Sequence, residues 1–240
     1  MNRVLLSKRN SKTGKEIATR LGIELNPSSN YVDFLIRWGN TTPKETGKVL
    51  NKAKAILTSS NKPEALKILR EKGLSVLPEC DYIFPCVGRT KYHTGGSGFF
   101  FCRNERDVRI ARRKGAVYFT RFYPKTREFR VHVGGGKVLL FSEKEGNKHK
   151  IIWNKAKNGF TFRHLARHMW IEDSLLMEIQ KASKQAVEAL GLDFGAVDIL
   201  AYPRYGNFPQ FVILEVNTCP SLSPLTLEKY LEYFRNIIGY

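Results

Sequence analysis

The rhythm of apolar and polar positions changes several times along the chain and outlines its elements. In the first 60 residues, strand-like apolar runs at 1–7 and 31–40 flank a short helical pattern at 14–21. The segment 48–57 is amphipathic in a way that fits either a helix or a strand. Strands that alternate with helices predict a small α/β unit here.

A helix is predicted next, at 61–73. Asn61 and Pro63 suit the start of a helix, and a short apolar strand is predicted at 74–78, after its end. Two longer amphipathic patterns predict further helices, at 172–190 and 225–240.

A glycine-rich hairpin is predicted between residues 82 and 102. Its first strand ends at Arg89, and Gly95, Gly96 and Gly98 precede the second strand. Glycine lets a backbone fold closely over a phosphate group and offer its N–H groups. Many hairpins also turn on glycine for structural reasons alone, so both interpretations stay open.

A second hairpin is predicted from strands at 128–133 and 137–144, joined by three glycines. Strict alternation in its first strand places Glu128, Arg130 and His132 on one face and apolar residues on the other. A polar face of this kind is common where an antiparallel sheet meets water.

Two strands near the end of the chain carry oxygen ligands among apolar residues. Asp198 lies in the run 193–200, and Glu215 and Asn217 lie two residues apart in the run 211–217, so both point to one face. The short loop between the runs predicts antiparallel pairing, which would bring Asp198 near the other two. Converging carboxylates repel one another without a cation, and oxygen ligands favour Mg²⁺ or Mn²⁺ over zinc. The alternative is a wet face of an edge hairpin.

The charge balance predicts an anionic partner. The chain has 40 Lys and Arg against 22 Asp and Glu, a net charge of +18. Nucleotide phosphates, an acidic substrate and nucleic acid would all suit this balance. Basic residues concentrate at 103–114 and, interleaved with aromatics, at 146–167. Either stretch can be a solvated face. The first, a helix or a loop, also fits a docking patch for an acidic partner or nucleic acid. The second also fits binding of an acceptor substrate or of single-stranded nucleic acid.

Composition narrows the class of protein. Hydrophobic residues make up 42% and aromatic residues 12% of the chain, which is typical of a globular protein. No apolar run approaches the length of a membrane span, and residues 1–8 turn polar too soon for a signal peptide, so no membrane partner is expected. The 4 cysteines show no CxxC pairing. They favour buried thiols in a reducing cytoplasm over disulfides.

The metal-ligand strands carry a resemblance to a known family. The stretches GLDFGAVD (191–198) and LEVNTCP (214–220) resemble the C-terminal core of the ATP-grasp superfamily. The resemblance implies an ATP-grasp fold of mixed α+β and α/β class, in which two α+β lobes grip ATP beside a short N-terminal α/β unit. It also implies three domains, namely an N-terminal unit at 1–60, a small lobe with the glycine-rich lid at 61–117 and a large lobe with the metal site at 118–240.

The resemblance also assigns roles to residues. It implies that Mg²⁺ (or Mn²⁺) is held by Asp198, Glu215 and Asn217. It implies that ATP is bound by Lys62, Arg89, Gly95, Gly96, Gly98, Phe119 and Glu128. It makes Arg130 and Lys144 the candidate catalytic cations for the transferred phosphoryl group. Two positions depart from the family: Arg89-Thr90 stands where Lys-Pro is usual, and Thr120 replaces an acidic residue of the hinge.

The implied reaction uses ATP to phosphorylate a carboxylate, after which an amine attacks the acylphosphate. The form of the Asp198 strand looks more like amino-acid ligases of the ribosomal-protein glutamate ligase kind, and the compact length resembles small phage-type ATP-grasp proteins. An anionic small molecule or peptide would suit the net charge as substrate. Two alternatives remain: an ATP-grasp kinase of a small polyanion, and a non-catalytic nucleic-acid-binding protein on an ATP-grasp scaffold.

Overall fold

The computed structural model describes most of the chain, in the ranges 2–8, 11–29, 31–80, 83–92, 97–123, 127–146, 159–164, 173–202 and 210–239. In chain order its elements are β1 (Arg3–Ser7), α1 (Lys12–Leu21), β2 (Glu24–Leu25), β3 (Tyr31–Trp38), β4 (Glu45–Leu50), α2 (Ala53–Ser60), α3 (Lys62–Glu71), β5 (Cys86–Arg89), β6 (Phe99–Cys102), α4 (Glu105–Arg113), β7 (Tyr118–Arg121), β8 (Arg127–Gly134), β9 (Lys137–Gly146), β10 (Phe160–His164), α5 (Asp173–Ala189), β11 (Phe194–Ala201), β12 (Phe211–Asn217) and α6 (Pro224–Ile238). Within these ranges the strands form three sheets.

The first sheet is parallel and has the strand order β2-β1-β3-β4. Helices α1 and α6 contribute to the apolar core on one of its faces. There Trp38 stacks on Phe194 of β11, with ring centroids 5.6 Å apart, and meets Tyr230 of α6 edge-on at 5.3 Å. The predicted N-terminal α/β unit therefore packs directly on the C-terminal part of the chain.

The ambiguous segment 48–57 contains both kinds of element. Strand β4 ends at Leu50 and helix α2 begins at Ala53. Asn51 lies at the change and has a φ of +62°, a left-handed conformation that Asn tolerates better than most residues. The chain therefore turns sharply enough here for one amphipathic run to serve two elements.

The strand predicted at 74–78 is wrong. Val76 forms only an isolated parallel bridge with Ile213, and the Ile213 N–H donates to the Ser75 carbonyl at 2.8 Å. Pro78 has no N–H with which to extend a ladder. The next residue, Glu79, already bridges to Thr120 of the small sheet. The apolar run is therefore a crossing segment between two sheets.

The small sheet is antiparallel, with the order β6-β5-β7. The basic segment at 103–114, predicted as helix or loop, forms α4, whose first turn is capped by the Asn104 side chain. Helix α4 covers one face of the sheet. All four cysteines are free thiols; Cys80, Cys86 and Cys102 are buried in this core, and Cys219 is half-buried.

The large sheet is antiparallel, with the order β10-β9-β8-β11-β12. Helices α2, α3 and α5 cover one of its faces and bury Phe129, Val131 and Ile213 among other apolar residues. Because side chains alternate along a strand, Asp198 and Arg130 lie on the opposite face. Both predicted hairpins of this sheet, β8–β9 and β11–β12, are confirmed.

The division of the chain at residues 60 and 117 stays a prediction. Strand β7, at the start of the predicted large lobe, pairs with β5 of the small sheet. In the part of the chain that the structure describes, no helix has the length and apolar character needed to cross a bilayer.

Candidate functional site

Five polar residues form one continuous row across the large sheet. The strand register pairs them directly, from β12 to β10, in the order Glu215, Asp198, Arg130, Ser142 and His164. Directly opposed residues of antiparallel strands lie about 4.5–5.5 Å apart and share a face. The row therefore brings the two predicted metal-binding acids beside the predicted catalytic arginine.

Asp198 and Arg130 form a two-point ion pair. The Arg130 Nε donates to Asp198 Oδ1 at 2.6 Å and its Nη2 donates to Oδ2 at 2.7 Å. The Arg130 side chain is 13% exposed and the Asp198 side chain 7%, so water screens this pair little. Burial pulls the pKa of Arg130 down, but the Asp198 carboxylate outweighs burial, and the net shift is upward.

Glu215 and Asn217 complete the predicted metal set. The Asn217 Nδ2 donates to Glu215 Oε1 at 3.0 Å and lies 3.3 Å from Asp198 Oδ2, so one amide links the two acids. Lys62, the first residue of α3, approaches from the other side. Its Nζ lies 3.2 Å from Glu215 Oε2 and donates to the Val216 carbonyl, also at 3.2 Å. The structure therefore brings Lys62 to the metal set, although 153 residues separate Lys62 from Glu215 in the chain.

A second ion pair lies one pleat further along β8. The Lys144 Nζ donates to Glu128 Oε1 at 2.6 Å, and the two residues are direct cross-strand partners. Two aromatic rings of β10 cover the cations of this face. Lys144 Nζ lies 4.5 Å from the centroid of Phe160, and Arg130 Cζ lies 5.0 Å from that of Phe162.

Arg89 reaches the same region from the small sheet. It pairs in register with Tyr118 of β7, and its guanidinium lies 4.7 Å from the centroid of Phe99. Burial lowers the pKa of Arg89, while Tyr118, Glu215 and Glu128 act against that shift. Burial also raises the pKa of Tyr118 to about 12.

Phe119 and the glycines of the predicted lid are the remaining predicted ATP-binding residues. The Phe119 side chain is buried on the α4 face of the small sheet, with Arg112 Cζ 4.9 Å from its ring, and its carbonyl accepts from the Cys80 N–H at 3.0 Å. Gly98 has a φ of +60°, and its carbonyl accepts from the Thr90 N–H at 3.2 Å. Gly95 and Gly96 lie outside the described residues. Contact of these four residues with ATP stays a prediction.

The donor set suits a hard divalent cation. Among the described residues no three His, Cys, Asp or Glu side chains converge as a metal site, so the ligands here would be two carboxylates and the Asn217 amide oxygen. Oxygen-only donors of this number are what Mg²⁺ uses when water and phosphate complete its shell. Positively charged groups, Arg130 and Lys62, already surround the two acids. The oxygen donors of the site fit Mg²⁺, and in this structure side-chain cations neutralise the two acids.

Sequence reasoning missed part of the site. Ser142 and His164 belong to the row, and the His164 Nδ1 lies 2.9 Å from Ser142 Oγ and its Nε2 lies 3.1 Å from Ser223 Oγ. Phe160 and Phe162 share a strand face with His164, and their alternation was the available signal. The orientation of Tyr118 could not be predicted from the sequence, because it depends on which face of the small sheet helix α4 covers.

His132 predicts a pH dependence of stability. It is 3% exposed, and its Nδ1 lies 3.2 Å from the hydroxyl of Tyr230, which donates to the Gly195 carbonyl. Burial, with help from Arg130 and His164, lowers the pKa of His132 to about 3. The folded state thus prefers the neutral ring, so stability is retained above pH 6.5 and falls as the unfolded chain takes up the proton. At pH 5 this one group is expected to cost about 2 kcal/mol.

Urea unfolding of the wild type and of His132→Gln between pH 7.5 and pH 5 measures this effect. The wild type is expected to lose more stability across the range than the variant, which has no imidazole at this position. Equal losses in the two proteins would contradict the prediction.

The structure can now be compared with known proteins. No protein-family model matches the sequence, and no curated protein matches it significantly. Among solved structures, the ATP-grasp ligase PsnB in complex with a minimal precursor matches with a TM-score of 0.70 at 12% identity, over 99% of each chain. D-alanine–D-alanine ligase from Bacillus anthracis matches with a TM-score of 0.70 at 14% identity, over 99% of this chain and 98% of that one. Biotin carboxylase from Campylobacter jejuni matches with a TM-score of 0.70 at 13% identity, over 100% of this chain and 71% of that one.

These matches define the class of structure. The chain has the ATP-grasp fold, of mixed α and β class, over essentially its whole length. The predicted fold class is therefore confirmed.

Proposed function

We propose that this protein is an ATP- and Mg²⁺-dependent carboxylate–amine ligase that releases ADP. It would join an amino acid or peptide to an acceptor through an acylphosphate. The observation that carries the proposal is the convergence of Asp198, Glu215 and Asn217 with two cations, Arg130 and Lys62, at the large sheet of an ATP-grasp fold.

The charges of the site suit phosphoryl transfer, which depends mainly on positioning and on neutralising the phosphate charge. Asp198, Glu215 and Asn217 would hold Mg²⁺, which supplies positive charge to the phosphate oxygens when bound. Lys62 from α3 and Arg89 from the small sheet would bind the phosphates. Glu128, which pairs with Lys144 in this structure, would accept hydrogen bonds from the ribose hydroxyls.

Arg130 and Lys144 would neutralise the transferred phosphoryl group and the acylphosphate. Both cations lie under the rings of Phe160 and Phe162. Aromatic cover of this kind removes water from the cations, which strengthens their attraction for phosphate and protects a reactive acylphosphate from hydrolysis.

Solved structures of the same fold support the cofactors and the substrate class of this proposal. PsnB has been solved with Mg and ADP and a variant of its precursor, and the Bacillus anthracis ligase has been solved with ATP. PsnB has also been solved with a minimal precursor. The net charge of +18 of this chain suits an anionic peptide or amino acid as its substrate. The proposal therefore includes such a substrate.

Thermal shift tests the cofactor part of the proposal. ATP and Mg²⁺ together are expected to raise the melting temperature by several degrees, because ligands that bind only the folded state stabilise it by mass action. AMP with Mg²⁺ is the matched control, since it lacks the phosphates that the cations would bind. No shift with ATP and Mg²⁺ would contradict the proposal.

Mass spectrometry tests the reaction itself. The protein is incubated with ATP, Mg²⁺ and pools of amino acids and short acidic peptides, and the products are weighed. A new amide with stoichiometric ADP is the expected result. A phosphate ester without an amide would favour the alternative, an ATP-grasp kinase of a small polyanion.

Nucleic-acid binding stays a prediction. The described basic helix α4 exposes Arg106, Arg109 and Arg113, whereas most of the basic stretch 146–167 lies outside the described residues. Titration of labelled single-stranded DNA at rising salt concentration would test it, because binding through phosphates weakens steeply with salt.

A further inference from the structure

Each of three acidic side chains of the site already forms an ion pair with a cation that, under the proposed function, binds phosphate. Arg130 binds Asp198, Lys62 binds Glu215, and Lys144 binds Glu128. Three negative and three positive side chains therefore cancel. A free divalent cation meets no net negative charge here, and a free polyphosphate meets cations that are already engaged.

Among these three pairs the Arg130–Asp198 pair blocks a metal ion most directly. Its two hydrogen bonds, at 2.6 and 2.7 Å, use both oxygens of the carboxylate. The Asn217 amide also donates toward Oδ2. Three N–H donors therefore take three of the roughly four lone-pair sites of the Asp198 carboxylate and compete with a metal ion for them.

The Lys62–Glu215 pair is looser. It rests on a single contact of 3.2 Å, and Lys62 divides its ammonium between this carboxylate and the Val216 carbonyl. Lysine is a point donor on a flexible stem, whereas the planar guanidinium of Arg130 matches a carboxylate at two points. The arginine is thus the stronger competitor for the metal site.

We propose that Arg130 occupies the position of the divalent cation at Asp198 in the resting protein, so that metal and nucleotide bind only together. The inference rests on the proposed function and adds a role for Arg130 before the chemistry. On joint binding, Asp198 and Glu215 would release their cations and hold the metal ion, and Arg130 and Lys62 would bind the phosphates. Neither ligand alone supplies both halves of the exchange.

The consequence is a gain of metal binding when a cation is removed. Arg130→Gln frees both oxygens of Asp198, so the variant is expected to bind Mn²⁺ in the absence of nucleotide at least about tenfold more tightly than the wild type. The factor by which ADP strengthens Mn²⁺ binding is expected to fall, and by linkage the factor by which Mn²⁺ strengthens ADP binding falls equally. A merely structural role for Arg130 would not raise the affinity for a metal ion.

Arg127→Gln is a matched control on the same strand. Arg127 also makes a two-point pair with a carboxylate, to Glu143 at 2.8 and 2.7 Å, but it lies on the opposite face of β8 and outside the site. Glu143 keeps a cationic partner after this loss, because Arg163 Nη2 lies 3.3 Å from its Oε2. No gain of Mn²⁺ binding is expected.

Mn²⁺ binding is measured by electron paramagnetic resonance, for each protein with and without ADP. Arg130→Lys is a second variant, which keeps the charge but loses the two-point contact, and a smaller gain is expected. An affinity for Mn²⁺ alone that is unchanged in both Arg130 variants would overturn the inference, as would wild-type binding of Mn²⁺ that ADP does not strengthen. Absence of Mn²⁺ binding to the wild type even with ADP would instead remove the metal assignment of the proposed function.

Discussion

ATP turnover is expected to fall by roughly 10²- to 10³-fold when Glu215 is replaced by Gln, the scale seen when one preorganised electrostatic contact to a transition state is lost. The side chain keeps its size, but it no longer supplies a negative charge to a metal ion. Lys62 loses its ion pair at the same time. Turnover is measured as ADP release with the substrates that mass spectrometry identifies.

Two further measurements separate this effect from unfolding. The Glu215 side chain is only 24% exposed, but Asn217 can still donate to an amide oxygen, so the melting temperature is expected to change by only a few degrees. The rise in melting temperature that ATP produces with Mg²⁺ is expected to disappear.

Glu145→Gln is the control for the loss of a carboxylate. Glu145 lies at the end of β9, is 44% exposed, and pairs with Arg163 at 2.9 Å. Screening by water makes such a pair worth little. Turnover equal to that of the wild type is expected. If Glu215→Gln retained the turnover of this control, Glu215 would have no part in binding a metal ion.

The arrangement of the two acids could be predicted from the sequence because it depends on local rules. The two-residue period of a strand puts Glu215 and Asn217 on one face, and the short loop makes β11 and β12 antiparallel neighbours. The observed register pairs Asp198 directly with Glu215. No long-range contact was needed for this step.

The ion pairs could not be predicted in this way. Arg130 meets Asp198 because β8 lies beside β11, and Lys62 meets Glu215 because α3 packs on the large sheet. Both facts depend on which elements pack together, which hydrophobic periodicity leaves open. The resemblance to ATP-grasp proteins described Arg130 and Lys62 as phosphate ligands and did not indicate the acidic partners that they have in this structure.

The orientation of Phe119, whose contact with ATP stays a prediction, also depends on packing that the sequence pattern leaves open. Alternation requires that either Tyr118 or Phe119 face the large sheet, but it does not say which. Helix α4 packs over Phe119 and thereby leaves Tyr118 on the face that carries Arg89. The error at 74–78 is similar, because an apolar segment that crosses between sheets has the same composition as a short strand.

The largest effect on stability is expected from Asn51→Ala. Asn51 is completely buried and joins the end of β4 to the start of β11. Its Oδ1 accepts from the N–H groups of Asp193 (2.8 Å) and Phe194 (3.2 Å), and its Nδ2 donates to the Phe194 carbonyl at 3.0 Å. Alanine leaves these buried groups without partners and must adopt a left-handed φ. The free energy of unfolding is expected to fall by about 3–5 kcal/mol, which is typical of mutations that break a buried hydrogen-bond network.

Asn61→Ala is the control, the same substitution ten residues further on. Asn61 precedes α3, makes no side-chain cap to it, and its Oδ1 is buried without a hydrogen-bond partner. Removing such a group is expected to change the free energy of unfolding by less than about 0.5 kcal/mol. Guanidinium unfolding of both variants measures the difference. Because Asn51 ties the N-terminal sheet to the strand that carries Asp198, a loss of less than about 1 kcal/mol in Asn51→Ala would mean that the two parts are held by the Trp38–Phe194 packing instead.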